Sequence, residues 1–341
     1  MIDTSLEAVA TRAEWVPHTF DAEGGRLTSF FIPRSEHGSQ PFLWNLEHKF
    51  QEATHLAAEL RARLPRDGCG TPNFIFHTAF CCSTLLLRAC AQARGATGLN
   101  EPAILNNLAH RMAANDGASN RARLDLAMSL LGRSLDPGGS VIVKPTNFAN
   151  ALIDPILGMR PGAKAVLLYS NLETMLYSVA RRGALGRVWG RQLYDSYSSF
   201  SPLDFGFSAA ESFLQTDLQI AGLGWLMEVH HLEQAARAYP DRTLLLQADE
   251  LLADPVGILD KVYRFFQLGH QPDRIASAID GPVFSSHSKD RRVPYNRRLR
   301  EEERERVLAM HAEEVRMVEG WVDAVARHVG IRVEAFDPAF A

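Results

Sequence analysis

The sequence is poor in cysteine, and the few cysteines it has are crowded together. Four occur in 341 residues, all between positions 69 and 90, and two of them are adjacent. Neighbouring cysteines rarely pair with each other, and no histidine-rich metal-ligand spacing follows them. We therefore predict neither a disulfide framework nor a zinc site. We expect small buried thiols in a reducing cytoplasm.

Long apolar runs, a basic excess and a targeting segment are also missing. No apolar stretch approaches the ~20 residues needed to span a bilayer. Residues 1–14 are acidic and lack the basic flank and apolar core of a signal peptide. The formal net charge is −4, whereas a non-specific nucleic-acid binder usually carries a basic excess. These absences predict a cytoplasmic protein with neither a membrane span nor a nucleic-acid partner.

Short apolar runs alternate with helix-forming stretches over most of the chain. The clearest runs are 73–77, 140–145, 163–169 and 243–247, and helical stretches such as 254–266 follow them. Strands that are apolar along their whole length and alternate with helices are typical of a parallel sheet covered on both faces. The pattern predicts an α/β fold of three layers, in which helices flank a mostly parallel central sheet.

The first part of the chain has a different pattern. Residues 1–38 predict an appendage, because strand-like residues on both sides of a turn at 22–25 form a hairpin. From Pro41 to Leu64 apolar residues recur at helical spacing, which predicts one helix. The α/β domain is expected to occupy residues 39–341.

Residues 183–216 interrupt the alternation of strands and helices. They are rich in Gly, Ser, Tyr and Phe, and so long a stretch without a clear period predicts an irregular lid or acceptor-binding insertion. Aromatic residues at this spacing are typical both of a wall against an apolar acceptor and of side chains that simply pack, and both interpretations stay open. They are Trp189, Tyr194, Tyr197, Phe200, Phe205 and Phe207.

A turn of small residues connects the run 73–77 to a helix-forming run that contains Leu85. The first N–H groups of a helix have no partner within the helix, and the helix dipole is positive there, so such a turn can hold an anion. An ordinary strand-to-helix corner fits the same residues. The turn consists of Ala79, Phe80, Cys81, Cys82, Ser83 and Thr84, and His77 stands at the exit of the strand.

Two charged residues follow other predicted strands. Lys144 comes after the apolar run 141–143 and before Pro145, which cannot continue the hydrogen-bonded ladder. We therefore expect Lys144 to leave the sheet, exposed, at the edge where parallel sheets collect ligands. Glu101 ends another strand-like segment. A surface lysine and a loop glutamate before a proline are the plainer interpretations of the two.

Four segments of the chain form a recognisable series. The first is 76–85, the second is Glu101-Pro102, the third comprises 144–146 and 161–169 with Ser178, and the fourth is 247–255, followed by apolar residues up to Leu268. In their order and spacing these segments resemble the sulfotransferases, in particular divergent bacterial sulfotransferase-like proteins. The resemblance spans about residues 72–270, and a weaker similarity follows at His287 to Asp290.

The resemblance implies a reaction and a donor. The protein would transfer a sulfuryl group from 3′-phosphoadenosine 5′-phosphosulfate to a hydroxyl of an unknown acceptor, without a metal. Lys144 would contact the transferring sulfuryl group, and Glu101 or His77 would take the acceptor proton. The residues assigned to the donor are those of the turn, Ala79 to Thr84, together with Ser170, Ser178, Lys289 and Arg291, with His287 at the donor's edge.

The chain departs from the sulfotransferase pattern at charged positions. Members commonly have a Lys or Arg near Phe80, Ser-Gly in place of Cys81-Cys82, and an Arg in place of Ser170. Loss of an arginine removes a charge-assisted and often bidentate phosphate contact, which a serine cannot replace. Other arginines could compensate, and the candidates are Arg181, Arg182, Arg187, Arg291 and Arg292.

Two alternatives to sulfuryl transfer stay open. The first is a non-catalytic relative that keeps the fold and binds a nucleotide or a protein partner, and the missing basic residues favour it. The second is a P-loop phosphotransferase. It requires Gly-x-x-x-x-Gly-Lys-Ser/Thr, and the chain lacks both the glycines and the lysine before Ser83-Thr84.

Overall fold

The computed structural model describes residues 2–37, 42–47, 49–65, 70–285 and 297–331. Within them eight strands form two sheets. The strands are β1 (Trp15–Phe20), β2 (Arg26–Phe31), β3 (Gln51–Leu56), β4 (Asn73–His77), β5 (Ala96–Asn100), β6 (Ser140–Lys144), β7 (Ala165–Tyr169) and β8 (Thr243–Gln247). The larger sheet has the order β5-β6-β4-β7-β8, and every neighbouring pair in it is parallel.

Helices precede, connect and follow the strands of the two sheets. They are α1 (Leu6–Thr11), α2 (Arg34–His37), α3 (Ala57–Arg63), α4 (Ser83–Cys90), α5 (Ala103–Ala114), α6 (Ala118–Leu131), α7 (Ile153–Met159), α8 (Leu172–Arg181), α9 (Gly183–Ser198), α10 (Ala209–Leu214), α11 (Asp217–Ala238), α12 (Ala248–Ala253), α13 (Pro255–Phe265), α14 (Pro272–Asp280), α15 (Pro282–Ser285) and α16 (Arg297–His328), with a 3₁₀ helix at Asn147–Leu152. Among the described residues no helix combines the length and the apolar content that crossing a membrane requires.

Both faces of the parallel sheet are buried. Alternate residues of a strand point to opposite faces, so Phe74 and Phe76 of β4 lie in one apolar core and Ile75 lies in the other. Helices α5 and α11 contribute to the first core, and α4 and α13 contribute to the second. The prediction of a three-layer α/β fold with a parallel central sheet is confirmed, with β4 in its centre.

The smaller sheet is antiparallel, in the order β1-β2-β3. The predicted hairpin is present as β1 and β2. The prediction of one helix from Pro41 to Leu64 is wrong, because β3 and α3 occupy much of that range. Residues 51–56 pair with β2 along its whole length, and this cross-strand pairing outweighs the local helical spacing.

The segment 183–198 is also helical, where irregular structure was predicted. Glycine has a low helix propensity, so the glycines of this segment argued against a helix. In the structure they allow neighbouring helices to pack closely. A Cβ on Gly190 of α9 would lie 2.7 Å from the Cβ of Ala221 on α11. A Cβ on Gly186 would lie 2.1 Å from the carbonyl oxygen of Val179. These glycines therefore let α9 approach its neighbours, and the irregular part shrinks to residues 199–208.

Candidate functional site

The turn between β4 and α4 has an unusual backbone. Phe80 and Cys82 adopt left-handed conformations, with φ of 59° and 63°, although neither is a glycine. Such conformations cost roughly 1–2 kcal/mol for a residue with a side chain. Strained residues persist only where the surrounding structure holds them, and they cluster at functional sites. The residues 79–84, called the loop from here on, are therefore the centre of the candidate site.

Ser170 holds the loop from the neighbouring strand exit. Its backbone N–H donates to the Thr78 hydroxyl at 3.0 Å, and its own hydroxyl donates to the carbonyl oxygen of Ala79 at 3.0 Å. The Trp225 indole N–H donates to the Ser170 carbonyl at 2.8 Å. Ser170 is only 1% exposed. The structure thus places this predicted phosphate ligand underneath the loop, where its hydroxyl contacts the loop backbone.

The loop presents uncharged donors at the start of α4. Cys82 is the N-cap residue of that helix, and its side chain makes no capping hydrogen bond to the helix. Ser83 and Thr84 form the first turn and are mostly buried. Burial raises the pKa of the Cys81 thiol to about 12, so this thiol stays neutral, and it donates to the Thr78 carbonyl. The loop therefore has N–H groups to offer an anion and no negative charge from Cys81 to repel it.

Lys144 and Glu101 form a buried ion pair at the adjoining strand ends. The Lys144 ammonium donates to Glu101 Oε1 at 2.6 Å, and the Lys144 side chain is 1% exposed. The Glu101 side chain is 15% exposed and its backbone is left-handed, with a φ of 54°. Lys144 does end its strand at the predicted edge. The expectation that it is exposed there is wrong, because it turns inward to the carboxylate.

His77 lies at the exit of β4 but both of its ring nitrogens face backbone carbonyls. Nδ1 lies 2.7 Å from the Thr78 oxygen, and Nε2 lies 3.0 Å from the Pro145 oxygen. The ring is buried. It connects the exits of β4 and β6, and this arrangement directs neither nitrogen at a substrate hydroxyl.

An arginine stands over the loop's aromatic residue. The Arg182 guanidinium carbon lies 4.5 Å from the centre of the Phe80 ring. Trp189 meets the same ring edge-on at 5.1 Å, and Phe148 packs against Trp189 at 6.5 Å. Arg182 occupies the single residue between α8 and α9, and Gly183 follows it with a φ of 57°. The structure therefore brings one of the sequence-predicted compensating arginines to the loop.

A buried acid that sequence reasoning missed lies beneath the loop. Glu228 of α11 is fully buried and accepts a hydrogen bond from Asn147 Nδ2 at 2.8 Å. Burial raises the pKa of Glu228 to about 8, and hydrogen bonding from Asn147 and the Ala79 backbone opposes this only in part. A sequence signal existed, because Glu228 interrupts the otherwise apolar stretch 223–229.

The remaining predicted residues lie away from these contacts or outside the described ranges. Ser178 is half-buried on α8. Arg187 pairs with Glu314 of α16 at 3.3 Å. His287, Lys289, Arg291 and Arg292 fall in 286–296, outside the described residues. In the part of the chain that the structure describes, no group of three or more His, Cys, Asp or Glu side chains is placed to hold a metal ion.

Most aromatic residues of the predicted insertion pack internally. Tyr197 and Phe205 are buried, and Phe207 stacks on Trp321 with ring centres 5.7 Å apart. Phe200 lies between Tyr197 and His231. Of the interpretations left open, packing holds for these four residues, and Trp189 is the one that meets the loop.

Comparison with known proteins gives matches by structure only. No protein-family model and no curated protein sequence matches the chain. The structure is similar to the sulfotransferase domain from the curacin biosynthetic pathway, with 12% identity and a TM-score of 0.43, over 72% of this chain and 99% of that chain. It is also similar to the sulfotransferase STF1 from Mycobacterium tuberculosis H37Rv, with 14% identity and a TM-score of 0.40, over 62% of this chain and 71% of that chain. A third similar structure is the sulfotransferase domain of the Synechococcus PCC 7002 olefin synthase, with 12% identity and a TM-score of 0.36, over 69% of this chain and 85% of that chain.

Proposed function

We propose that this protein binds 3′-phosphoadenosine 5′-phosphosulfate and transfers its sulfuryl group to a hydroxyl of an acceptor molecule. The observation that carries the proposal is the loop itself. It combines two left-handed residues, the N-terminus of α4, and hydroxyls at Ser83 and Thr84, all at the carboxyl end of the central parallel strand. An anion fits this position, because the N–H groups of the first turn of α4 and the positive end of the helix dipole are directed at it.

The reaction requires in-line positioning and one proton acceptor. The acceptor oxygen attacks sulfur, the bond between sulfur and the 5′-phosphate oxygen breaks, and the acceptor hydroxyl loses its proton. Backbone N–H groups of the loop would hold the 5′-phosphate. Glu101 would take the proton, since one carboxylate oxygen is held by Lys144 and its side chain is the more exposed member of the pair. The products are the sulfated acceptor and 3′-phosphoadenosine 5′-phosphate.

A thermal-shift comparison tests donor recognition. The probes are 3′-phosphoadenosine 5′-phosphate, adenosine 5′-phosphate and ATP with Mg²⁺, each at up to millimolar concentration. A ligand that binds only the folded state raises the Tm. We expect the bisphosphate to raise it most. No shift with that ligand, together with no heat in calorimetry, would remove the proposal, and a shift with ATP and Mg²⁺ alone would favour a phosphotransferase.

The second candidate is a non-catalytic relative that binds the nucleotide without transferring sulfuryl. One observation favours it, namely that the Lys144 ammonium is neutralised by Glu101 and buried. Release of 3′-phosphoadenosine 5′-phosphate from the donor, measured with phenolic, sugar and lipid alcohols, separates the two candidates. Nucleotide binding without release in the presence of every alcohol would support the non-catalytic relative.

A further inference from the structure

We propose that Arg182 is the positively charged group that contacts the anion held by the loop. This inference rests on the proposed function and adds to it the residue that supplies the charge. The loop contains no Lys or Arg, and the Arg182 guanidinium lies 4.5 Å from the centre of the Phe80 ring. The charge is thus brought to the loop from the junction between α8 and α9 instead of by a loop side chain.

Other cations near the loop are engaged elsewhere. Lys144 is buried against Glu101, and Arg187 pairs with Glu314. Arg182, by contrast, has no acidic partner among the described residues, and its guanidinium lies over the Phe80 ring. A guanidinium on an aromatic face keeps its N–H donors directed outward, so Arg182 retains the fork of donors that matches a phosphate or sulfate.

The aromatic ring on which the guanidinium lies is itself packed against a neighbour. Trp189 packs edge-on against Phe80 and thereby orients the ring on which the arginine lies. Arg182 itself is the one residue between two helices, so its backbone has little freedom. A pre-positioned arginine loses less side-chain entropy when it binds an anion than a mobile one does.

The electrostatic surroundings also favour an anion at this point. Partial burial, and secondly the positive charge of Arg181, lower the pKa of Arg182. Both effects disfavour the charged form in the absence of a ligand. An anion between the guanidinium and the loop would offset both, because it replaces lost solvation with a charge-assisted contact.

Calorimetric titration with 3′-phosphoadenosine 5′-phosphate tests the inference in the full chain. We expect Arg182→Ala to weaken binding by about 10- to 100-fold, the range of one lost charge-assisted hydrogen bond. Arg182→Lys should retain part of the affinity, because it keeps the charge and loses the fork. Phe80→Leu should weaken binding less than Arg182→Ala, since it removes only the support. Arg191→Ala is the matched control, because Arg191 lies on α9 and pairs with Asp217.

The outcomes separate this inference from the proposed function. If the wild type binds and Arg182→Ala binds equally well, the inference is overturned and the proposed function remains. If the wild type binds none of the ligand, the proposed function and the inference fall together. If circular dichroism shows that Arg182→Ala does not fold, the affinities of Arg182→Gln and Arg182→Lys test the inference in its place. Equal affinity of the wild type and Arg182→Gln would then overturn it. A loss of the same size in Arg191→Ala would also overturn it, because the effect would then be one of general charge.

Discussion

The ammonium of Lys144 and the carboxylate of Glu101 are joined by a 2.6 Å hydrogen bond across the ends of β6 and β5. The same two residues are joined a second time through the backbone, because the Glu101 N–H donates to the Lys144 carbonyl at 2.6 Å. Pairing of Asn100 with Lys144 in the parallel ladder places them side by side. The pair is therefore built into the sheet and is a stability element as well as a candidate catalytic unit.

Removing one member of this pair should lower the free energy of unfolding. Lys144→Met leaves the Glu101 carboxylate without its ammonium, and Glu101→Gln leaves a buried ammonium without a counter-charge. Breaking a buried pair from one side costs about 3–5 kcal/mol. Urea unfolding followed by circular dichroism measures this loss in each variant.

The double variant Lys144→Met/Glu101→Gln is the control for this prediction. It removes both charges, so it should be less destabilised than the sum of the single variants. Additive losses, or an unchanged unfolding midpoint in Lys144→Met, would contradict a coupled buried pair.

The central strands could be predicted from the sequence because parallel strands buried on both faces are apolar along their whole length. β4 and β8 match their predicted runs, β6 ends one residue before its predicted run does, and β7 occupies most of its run. β3 could not be predicted in the same way. Its apolar residues recur at helical spacing, and its strand conformation depends on pairing with β2, whose paired residues lie 20 to 30 positions earlier.

The strand-turn-helix connection at the candidate site could be predicted from the sequence, but the contacts around it could not. The strand-turn-helix pattern located the loop, and the proline after Lys144 located the sheet edge. The ion pair depends on the register between β5 and β6, and the Arg182 contact depends on how α8 meets α9. Neither relationship leaves a local pattern. The burial of Ser170 under the loop likewise follows from the pairing of β7 with β4.

Ser170→Ala should destabilise the protein and also weaken nucleotide binding. The substitution leaves the Ala79 carbonyl without its 3.0 Å donor, which costs about 1–2 kcal/mol. Binding should weaken only several-fold, because Ser170 acts on the loop from below. Tm and calorimetric affinity are measured on the same samples.

Thr78→Val provides the matched comparison for Ser170→Ala. It removes the hydroxyl that accepts the Ser170 N–H and keeps a similar side-chain volume. Both variants should lose stability and affinity in the same proportion. A large loss of affinity in Ser170→Ala at unchanged Tm would instead identify Ser170 as a direct phosphate ligand.

The stability of the protein should fall between about pH 5 and pH 8 on account of Glu228. The pKa of this carboxyl is raised from 4.5 to about 8 in the folded state, chiefly by burial. Between these values the folded protein holds a proton that the unfolded chain has lost, so raising the pH favours unfolding, at up to about 1.4 kcal/mol per pH unit. Above about pH 8 this effect should level off.

Glu228→Gln isolates that titration from all others. The amide is uncharged at every pH and keeps an oxygen that can accept from Asn147. As the pH rises from 5 to 8, the Tm of the wild type should therefore fall steadily relative to the Tm of Glu228→Gln. Glu59→Gln, at an exposed position of α3, should show no such trend. A difference that is constant with pH would mean that Glu228 is ionised throughout the range.

Because the backbone of Cys82 is left-handed, glycine should be more favourable than alanine for stability at this position. Its φ is 63°, a region in which a side chain costs roughly 1–2 kcal/mol and glycine costs nothing. In an ordinary helical position Gly is less favourable than Ala by about 1 kcal/mol. At position 82 the order should be reversed, so we expect Cys82→Gly to be more stable than Cys82→Ala by about 1 kcal/mol.

Urea unfolding of the two variants measures the difference, and because neither has a thiol, the comparison depends on the backbone alone. If Cys82→Ala is the more stable variant, the loop is not held in the left-handed conformation, and the geometry on which anion binding is proposed is lost with it.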